Sequence, residues 1–400
     1  MIKVLIISHM YPSSYDEVYG SFVHYQVKEL TKQGIEIKVV SPRPWAPFPI
    51  NRMSKKWKAY SEIPQKQIRE NIEIFYPRYI EFPRAYLDNY SGEFMYLAVK
   101  SIINSIYNKF KFDLIHAHTA YPDGYAAIRL KLKYNIPLIV TVHGLDVCSC
   151  APYKPLIERS QILCKKIIEV FSTADKIVGV SSLVRNSIIR YYHDSQKVIY
   201  INNGIPIDKV KLKSTWNRGQ RIKIISVGYL DKRKGHEFVI RSLTDLIKDG
   251  FKLEYTIVGD GENRKFLETL VEEFGLKNIV SILGMKSQDE VFRSLSEADI
   301  FCLPSWDEAL GVVYLEAMAT GLPVIACKGQ GIIDVIEDKY NGLLVEPKNL
   351  ESVQSALRIL ITNTDLCRKI GQKARQRVLD NFTWQRNANK YIELYKEILD

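Results

Sequence analysis

Two carboxylates flank a glycine in the segment PSWDEALGVVYLEAMATGLP, which spans residues 304–323. Glu308 and Glu316 are eight residues apart, Gly311 lies between them, and a helical pattern begins in the second half of the segment. The first amides of a helix have no partner within the helix, so such a turn can bind an anion. We expect Glu308 on the loop before the helix and Glu316 about two turns into it. This layout suits a nucleotide-sugar, with phosphate at the helix end and one glutamate for each set of hydroxyls. Two solvated glutamates beside a glycine turn are the alternative.

With its flanks, this segment resembles the signature of the retaining GT-B glycosyltransferases of family 4, which reads E-x-F-G-x-x-x-x-E-A and then Gly-x-Pro-Val. The chain has EALG from residue 308, EA from residue 316 and GLPVI from residue 321, with Leu310 at the aromatic position. The resemblance implies that Glu308 contacts the donor sugar as a catalytic residue and that Glu316 holds the nucleotide ribose. It also implies that backbone amides near Gly311 meet the diphosphate. The nucleotide-sugar site would then include Ala309, Leu310, Gly311, Val312 and Glu316.

A cationic loop, GYLDKRKG at residues 228–235, follows the first strand of the second half of the chain. A basic loop at this place can clamp a diphosphate leaving group, and a solvated turn is its alternative. Family members normally read Gly-Arg-Leu here, with Lys-Gly a few residues later, so Tyr229 occupies the usual arginine position. We expect Lys234 to act on the diphosphate in catalysis, and Arg233 or Lys232 to supply the charge that Tyr229 lacks.

Histidines follow two predicted strands. The strand at residues 138–141 runs into HGLD, residues 143–146, and ligands of such sheets bind at the carboxyl ends of strands. This element also matches the His-Gly-x-Asp element of the family, so the resemblance places His143 near the donor sugar as a catalytic residue. Asp146 either contacts the acceptor or braces the loop.

Two further histidines lie in HAH at residues 116–118. We expect the imidazoles of His116 and His118 to face opposite sides of their strand, which argues against a shared metal site. His118 would then line the cleft on the acceptor side, and His116 would be packed. Near the N-terminus, Gly20 resembles the glycine of the family's loop over the donor phosphate, although a tight turn before a helix is equally consistent with it.

The net charge of +11 is unevenly distributed. Residues 1–200 contain 27 Lys and Arg against 17 Asp and Glu, whereas residues 201–400 contain 29 against 28. A one-sided basic surface indicates an anionic partner such as a membrane, a polyphosphate or nucleic acid. The segment 42–86 is both basic and aromatic, which suits a membrane interface, although an insertion packed on the domain would share this composition. We expect contact with an anionic membrane and no nucleic acid, because the basic residues alternate with prolines and are not grouped on one helix.

Other features bear on compartment and cofactors. The six cysteines show no disulfide framework, the first apolar run is too short for a signal peptide, and no stretch reaches the 18 apolar residues of a membrane span. We expect a cytoplasmic protein, either free or held peripherally on the inner face of the plasma membrane. No Asp-x-Asp occurs in a suitable context, so we expect neither a metal nor another cofactor.

Length and alternation of elements indicate the fold. Four hundred residues suggest two domains, and two successive series of strands and helices predict an α/β protein. The resemblance implies the GT-B architecture, two doubly wound Rossmann-like domains facing a central cleft. We expect an acceptor-binding domain at residues 1–208, a linker at 209–220 and a nucleotide-sugar-binding domain at 221–383. A terminal helix at 384–400 should cross back to the first domain.

The resemblance implies a retaining transferase that moves a hexose-type sugar from a nucleotide-diphosphate donor, with a UDP-sugar favoured. The acceptor would be a hydroxyl of a lipid-linked or growing polysaccharide, as in the bacterial cell-envelope branch that makes teichuronic acid. Two catalytic carboxylates about 5 Å apart are not evident, so we expect departure of the diphosphate on the face that the acceptor attacks. A GT-B nucleotide-sugar epimerase and a non-catalytic nucleotide-sugar-binding subunit are the alternatives. The presence of Glu308, Lys234 and His143 argues against the second.

Overall fold

The computed structural model describes residues 1–81, 87–149, 154–213, 216 and 221–400. Contacts divide the chain into two compact units: unit 1 comprises residues 1–203 and 384–400, and unit 2 comprises residues 204–383. Residues 204–208 group with unit 2, because Ile205 pairs with Thr383 and its amide donates to the Phe382 carbonyl at 3.0 Å. The expected linker, 209–220, falls within the range of unit 2, and its residues 214–215 and 217–220 lie outside the described ones.

Unit 1 is built on one large sheet. Its strands are β1 (Lys3–Ile7), β2 (Glu36–Val40), β4 (Lys66–Arg69), β5 (Ile72–Phe75), β7 (Leu114–His118), β8 (Leu138–Val142), β9 (Lys176–Gly179) and β10 (Val198–Tyr200), while β3 (Arg43–Pro44) and β6 (Arg78–Tyr79) pair separately. The strand order is β10-β9-β8-β7-β1-β2-β5-β4. All neighbours in this sheet are parallel except β4 and β5, which form an antiparallel hairpin at one edge.

Helices cover both faces of a parallel sheet and so bury its apolar strands. Those of unit 1 are α1 (Ser21–Lys32), α2 (Lys55–Glu62), α3 (Ser91–Phe110), α4 (Tyr125–Tyr134), α5 (Leu156–Arg159), α6 (Gln161–Thr173), α7 (Ser182–Tyr192) and α14 (Trp384–Leu399). The opening apolar runs of the sequence predict a strand at residues 2–8, a helix at about 22–33 and a strand at 36–41. The positions of β1, α1 and β2 confirm this to within one residue at each end. In the part of the chain that the structure describes, no helix combines the length and apolar character needed to cross a membrane.

Gly20 precedes α1 in a left-handed conformation, with φ of 74°. A Cβ at this position would lie 2.2 Å from the backbone carbon of Met10, so the loop after β1 passes directly over the start of the helix. Both constraints require glycine, since other residues tolerate neither the φ angle nor the close approach. Gly20 therefore fixes how the loop after β1 meets α1.

The last helix of the chain, α14, belongs to the core of unit 1. Its Tyr391, Leu394 and Tyr395 are buried in one cluster with apolar residues of β1, β7, β8 and β9. Polar contacts set its register, because the Gln26 side-chain amide donates to the Asn387 side chain at 2.8 Å, in the buried interior. The α14 helix is thus a structural element of unit 1.

The described residues of unit 2 form a sheet of six parallel strands: β11 (Ile222–Val227), β12 (Leu253–Val258), β13 (Val280–Ile282), β14 (Ile300–Cys302), β15 (Val324–Cys327) and β16 (Leu343–Val345). Their order is β13-β12-β11-β14-β15-β16. The helices are α8 (His236–Lys248), α9 (Arg264–Glu273), α10 (Gln288–Glu297), α11 (Val312–Thr320), α12 (Leu350–Thr362) and α13 (Thr364–Asn381). The order reverses between β11 and β14 in unit 2 and between β1 and β7 in unit 1, and sheets of this type bind ligands at such points.

Removal of one buried aromatic side chain tests the role of α14. We expect Tyr391→Ala to lower the free energy of unfolding of unit 1 by about 3–5 kcal/mol, because it empties a core position and breaks the bond between the Tyr391 hydroxyl and Thr141 Oγ1. The measurement is hydrogen exchange of the β7 and β8 amides during urea unfolding. Tyr200→Ala is the control, since Tyr200 lies at an exposed sheet edge and should change stability by about 0.5 kcal/mol or less. Equal effects of the two variants would contradict the role of α14 in the core.

Candidate active site

The catalytic candidates of unit 2 follow two adjacent strands. Residues 228–235 come after β11, and residues 304–311 come after β14, which pairs with β11 in parallel. Both loops therefore leave the same edge of the sheet at the point where strand order reverses. Lys234 and Glu308, which are 74 positions apart, meet at this edge.

An ion pair joins these two residues. Lys234 Nζ lies 2.5 Å from Glu308 Oε2, and the side chains are only 13% and 17% exposed. Ser305 Oγ donates to the same carboxylate oxygen at 3.2 Å. Burial favours the protonated acid, but the charges of Lys234 and Arg233 and the Ser305 hydrogen bond outweigh it, so the pKa of Glu308 lies below its usual range. The site thus holds an oriented carboxylate and an ammonium group in contact.

Arg233 joins the two loops that carry Lys234 and Glu308. Its Nη2 lies 2.6 Å from Asp231 Oδ2, and its Nη1 donates to the Asp307 carbonyl at 3.2 Å. The Arg233 carbonyl in turn accepts from the Trp306 amide at 2.9 Å. The guanidinium group expected to replace the missing arginine is therefore engaged with Asp231, while Tyr229 is 56% exposed.

Gly311 makes the turn from the Glu308 loop into α11. It is left-handed, with φ of 77°, and a Cβ there would lie 2.6 Å from ring carbons of Tyr314 and 3.1 Å from Cγ of Glu308. The Tyr314 hydroxyl donates to the Leu303 carbonyl at 2.7 Å, which fixes the ring. Only glycine fits at this turn. The turn lets α11 begin at Val312, so the N-terminus of the helix lies beside Glu308.

The neighbouring motif positions have structural roles that the sequence did not indicate. Leu310 is buried in the core of unit 2, so this motif position is an apolar contact. A Cβ on Gly331 would lie 1.7 Å from the Ala309 carbonyl oxygen, which brings the loop after β15 against the motif. In that loop, the Gln330 side-chain oxygen accepts from the Glu308 amide at 2.9 Å. Gln330 and Ser305 were missed as site residues; the GQG run at 329–331, directly after a buried strand, was the available signal.

Glu316 lies nearer the helix start than expected. It is the fifth residue of α11, which begins only at Val312 because Gly311 is left-handed, so the expectation of about two turns was wrong. Gln288 Nε2 donates to its Oε1 at 3.3 Å. Burial raises the pKa of Glu316 to about 7, and the Gln288 hydrogen bond opposes this only in part.

The structure corrects the expected orientation of His116 and His118. Their rings stack with centroids 4.4 Å apart, because residues two apart on a strand share a face. His116 is packed as expected, with Nδ1 2.7 Å from the Tyr395 hydroxyl and Nε2 2.8 Å from Thr141 Oγ1. Among the described residues, no group of three or more His, Cys, Asp or Glu side chains is arranged to hold a metal ion.

Buried His118 and half-buried His143 form a pair at the carboxyl ends of β7 and β8. His118 Nδ1 lies 3.0 Å from His143 Nε2, and the Phe22 ring of α1 packs on His143 at 4.6 Å between centroids. Burial, and to a smaller extent the charge of His9, lowers the pKa of His143 to about 3, and burial holds that of His118 well below its usual value. Both imidazoles are therefore neutral near pH 7 and can serve as hydrogen-bonding groups.

Asp146 is buried and holds the backbone after β7. Its Oδ1 accepts from the Tyr121 amide at 3.1 Å. Burial raises the pKa of Asp146 to about 6, against the effect of the hydrogen bonds from the Tyr121 and Ala120 amides. Of the two roles considered from the sequence, this geometry corresponds to bracing of the loop.

Two doubly wound α/β units with loop sites at their strand switch points are the domains of a GT-B fold. Residues 20–209 match the family described as Glycosyltransferase Family 4, and residues 208–377 match Glycosyl transferases group 1. An uncharacterized glycosyltransferase of Methanocaldococcus jannaschii is 31% identical over 289 residues, which cover 72% of this chain and 76% of that protein. The chain therefore belongs to glycosyltransferase family 4, and the resemblance seen in its motifs is confirmed.

Two further comparisons concern a relative and a protein of the same fold. A protein of Bacillus subtilis named putative teichuronic acid biosynthesis glycosyltransferase TuaC is 28% identical over 375 residues, which cover 89% of this chain and 88% of TuaC. Crystal structures of HepE from Anabaena share the fold. The complex with UDP has a TM-score of 0.73 at 16% identity, covering 99% of this chain and all of HepE. The complex with UDP-glucose has a TM-score of 0.69 at 18% identity, with the same coverage.

The raised pKa of Glu316 predicts a pH-dependent cost in stability. In the folded protein the Glu316 carboxyl keeps its proton up to a pH of about 7, whereas its usual pKa is 4.5. The contribution of this proton to the free energy of unfolding is therefore complete below about pH 4.5 and is lost as the pH rises through 7. We expect Glu316→Gln to raise the melting temperature at pH 8 and to leave it unchanged at pH 4. Thermal unfolding at both values measures this, with the exposed Glu262→Gln as control. A variant that melts like the parent at pH 8 would contradict the desolvation of Glu316.

Proposed function

We propose that this glycosyltransferase transfers a hexose-type sugar from a UDP-sugar to a hydroxyl of a lipid-linked or growing polysaccharide, with retention at the anomeric carbon. The observation that carries the proposal is the Lys234–Glu308 ion pair beside the N-terminus of α11. This site combines a cation and helix amides, which suit a diphosphate, with a carboxylate that suits sugar hydroxyls.

The geometry supports a division of labour within unit 2. Lys234 Nζ and the first amides of α11 stabilise the negative charge that develops on the departing diphosphate. Glu308, ionised and fixed by Ser305 and Gln330, accepts hydrogen bonds from the donor sugar. Glu316, one turn into α11, accepts hydrogen bonds from the ribose hydroxyls. The ion pair with Glu308 orients the Lys234 ammonium group before the donor binds. The diphosphate and the Glu308 carboxylate then both contact this ammonium group.

Chemistry proceeds by breaking the bond between the anomeric carbon and the phosphate oxygen, whose electron pair leaves with the diphosphate. The acceptor oxygen attacks the same face as the diphosphate departs. The resemblance to the family supports a role for His143 as a hydrogen-bonding group toward the donor sugar, and its lowered pKa keeps the imidazole neutral for that role. The resemblance to the family supports retention, and no second catalytic carboxylate is required in this scheme.

The comparisons support the choice of donor and acceptor. HepE was crystallised with UDP and with UDP-glucose, which favours a uridine nucleotide for this chain. TuaC is assigned to teichuronic acid biosynthesis, which favours a cell-envelope polysaccharide as the product. No divalent metal is part of the proposal, because Lys234 and the helix amides provide the positive charge.

Membrane contact through unit 1 forms part of the proposal. The segment 48–58 exposes two apolar side chains, Phe48 and Met53, on the same stretch as four exposed basic residues. The basic residues are Arg52, Lys55, Lys56 and Lys58. Its helix, α2, has no buried residue, so this helix is not held by burial in the core. Apolar side chains between cations suit insertion among anionic lipid headgroups, where a lipid-linked acceptor would be found.

Substitution of Glu308 should lower sugar transfer, whereas substitution of Glu316 should lower the affinity for UDP. We expect Glu308→Ala to reduce sugar transfer by at least 10²-fold with little change in the Kd for UDP, because Glu308 contacts the sugar and not the nucleotide. Glu316→Ala should instead weaken UDP binding by about tenfold, since it removes the ribose contact, equivalent to about 1.4 kcal/mol. Calorimetry with UDP and turnover of UDP-glucose measure the two effects.

The opposite pattern would reverse the assignment of the two residues. Absence of binding to UDP, GDP and ADP and to their sugars would overturn the donor proposal. Release of a free epimeric sugar without an acceptor would identify an epimerase in place of a transferase.

Neutralisation of Lys55, Lys56 and Lys58 together should weaken binding to vesicles of phosphatidylglycerol and phosphatidylcholine at low salt. The expected loss is about 1 kcal/mol per lysine near the surface. Vesicle sedimentation measures the effect, and neutralisation of the exposed Lys100, Lys109 and Lys165 of the same unit is the matched control. Equal partition of both triple variants would exclude the α2 region as the membrane contact.

A further inference from the structure

A glutamine from a neighbouring helix holds the carboxylate of Glu316. Gln288 Nε2 donates to Glu316 Oε1 at 3.3 Å, although the two residues are 28 positions apart. This bond joins the first residue of α10 to the fifth residue of α11. Glu316 is half-buried, so its carboxylate is partly withdrawn from water and remains within reach of a ligand. Sequence motifs gave Gln288 no role.

The backbone that carries Gln288 is fixed by a capping box at the start of α10. The Glu290 amide donates to Ser287 Oγ at 3.4 Å, and the Ser287 amide donates to Glu290 Oε2 at 2.9 Å. Such a reciprocal pair satisfies two amides at the helix start and defines where the helix begins. The Gln288 side chain therefore extends from a well-defined point.

Apolar packing sets the separation of the two helices. Phe292 and Leu295 of α10 are fully buried in one cluster with Leu315 of α11. Protein cores are packed as closely as organic crystals, so α10 cannot shift along α11 without opening a cavity. The core of unit 2 thus keeps Gln288 within hydrogen-bond distance of Glu316.

Other titratable groups near α11 do not control the protonation of Glu316. Helices α10 and α13 and strand β15 pack against α11. The charged or titratable side chains of these four elements that are not exposed, apart from Glu316 itself, are Glu290 on α10, Tyr314 on α11, Arg375 on α13 and Cys327 on β15. Among the described residues, the pKa of Glu316 depends on burial, which raises it, and on the Gln288 hydrogen bond, which lowers it in part.

The bond to Gln288 leaves the acceptor sites that a diol requires. An ionised carboxylate has about four lone-pair sites on its two oxygens. The Gln288 amide occupies one site on Oε1, and Oε2 accepts no hydrogen bond from the described residues. The two neighbouring hydroxyls of a ribose can donate to the remaining sites while the amide restrains rotation of the carboxylate. An amide suits this task, because it donates a hydrogen bond and leaves the negative charge in place.

A brace between α10 and α11 would account for less of this arrangement. Burial raises the pKa of Glu316 to about 7, so its ionised form costs free energy in the folded protein at neutral pH. Two neutral hydrogen-bonding groups would join the helices without this cost. A half-buried carboxylate with unused acceptor sites suits a ligand that supplies further hydrogen bonds.

We propose that Gln288 is the positioning residue of Glu316 and holds this carboxylate in the orientation and ionised form that bind the ribose of the UDP-sugar. The inference rests on the proposed ribose contact of Glu316. A protonated carboxyl group has fewer acceptor sites, so the affinity for the donor rises as Glu316 loses its proton. Binding near neutral pH then releases this proton to the buffer.

Binding of UDP-glucose as a function of pH tests the inference. UDP-glucose is the suitable probe because both of its phosphates are esterified, whereas UDP has a terminal phosphate that titrates near pH 6. We expect the Kd to fall about tenfold between pH 6 and pH 8, because the ionised fraction of Glu316 rises about tenfold. Calorimetry at pH 7 in two buffers of different ionisation enthalpy should show release of about half a proton. Glu316→Gln should abolish this release.

Two substitutions of Gln288 should move the pH dependence in opposite directions. Gln288→Leu removes the hydrogen bond that favours the ionised carboxylate, so the rise in affinity should move to higher pH. Gln288→Lys places a cation beside the carboxylate, so the rise should move to lower pH. Loss of a brace alone would lower the melting temperature and move neither rise.

The matched control is Gln376→Leu on α13. It removes a bond of the same kind, from Gln376 Nε2 to Asp380 Oδ1 at 2.9 Å, between exposed side chains. This variant should keep the pH dependence of the parent protein. Parental pH dependence in both Gln288 variants as well would overturn the inference.

Thermal unfolding as a function of pH measures the coupling without a nucleotide. In the parent protein the loss of stability caused by ionisation of Glu316 ends near pH 7, and it should end at higher pH in Gln288→Leu and at lower pH in Gln288→Lys. If the parent protein binds no UDP-glucose at any pH, the proposed function fails and the inference fails with it. If it binds UDP-glucose with the same affinity at pH 6 and pH 8 and releases no proton, only the inference fails.

Discussion

The parallel pairing of β11 with β14 is the constraint on which the geometry of the candidate site in unit 2 depends. Register matches Ile224 with Ile300, so both strands end at one edge and their loops emerge side by side. An ammonium and a carboxylate that are 74 positions apart in sequence then meet at 2.5 Å. A parallel sheet also requires long crossover connections, which supply α11 with its N-terminus at the same edge. The strand order of the sheet therefore brings the Lys234–Glu308 ion pair and the N-terminus of α11 to the same edge, at the strand switch point.

The carboxyl and imidazole groups at the carboxyl ends of the strands differ in protonation because their neighbouring groups differ. Glu308 is buried but has Lys234, Arg233 and Ser305 around it, and it stays ionised. Glu316 is desolvated, and the hydrogen-bond partner it has among the described residues is the Gln288 amide, so its charged form is disfavoured. Among the described residues no carboxylate pairs with His116, His118 or His143, and burial keeps these imidazoles neutral. His9 is paired with Asp123, which raises its pKa. The protonation of a histidine at this sheet edge therefore depends on whether a carboxylate lies beside it.

Features that depend on a few consecutive residues were predicted correctly from the sequence more often than contacts between residues far apart in the chain. Strand and helix positions such as β1, α1 and β2 followed from apolar runs and glycines, since these are local properties. The hairpin of β4 and β5 was not recognised, because its strands are short and its turn, Glu70-Asn71, lies in a segment dominated by basic and aromatic residues. The error about His116 and His118 came from a misapplied strand period and not from missing information. Gln330 was missed because its contact with Glu308 joins loops after different strands.

By itself, the amino-acid sequence determined the α/β class, the family and the identities of Glu308, Glu316, Gly311, Lys234 and His143 as candidate residues. These follow from local spacing, since a glycine turn, a helix start and a strand end each occupy a few consecutive residues. The tertiary structure alone decided that Lys234 pairs with Glu308, that Arg233 is held by Asp231, and that Asp123 orients His9. The physical reason is that strand order, which brings distant loops to one sheet edge, depends on how whole helices and strands pack together.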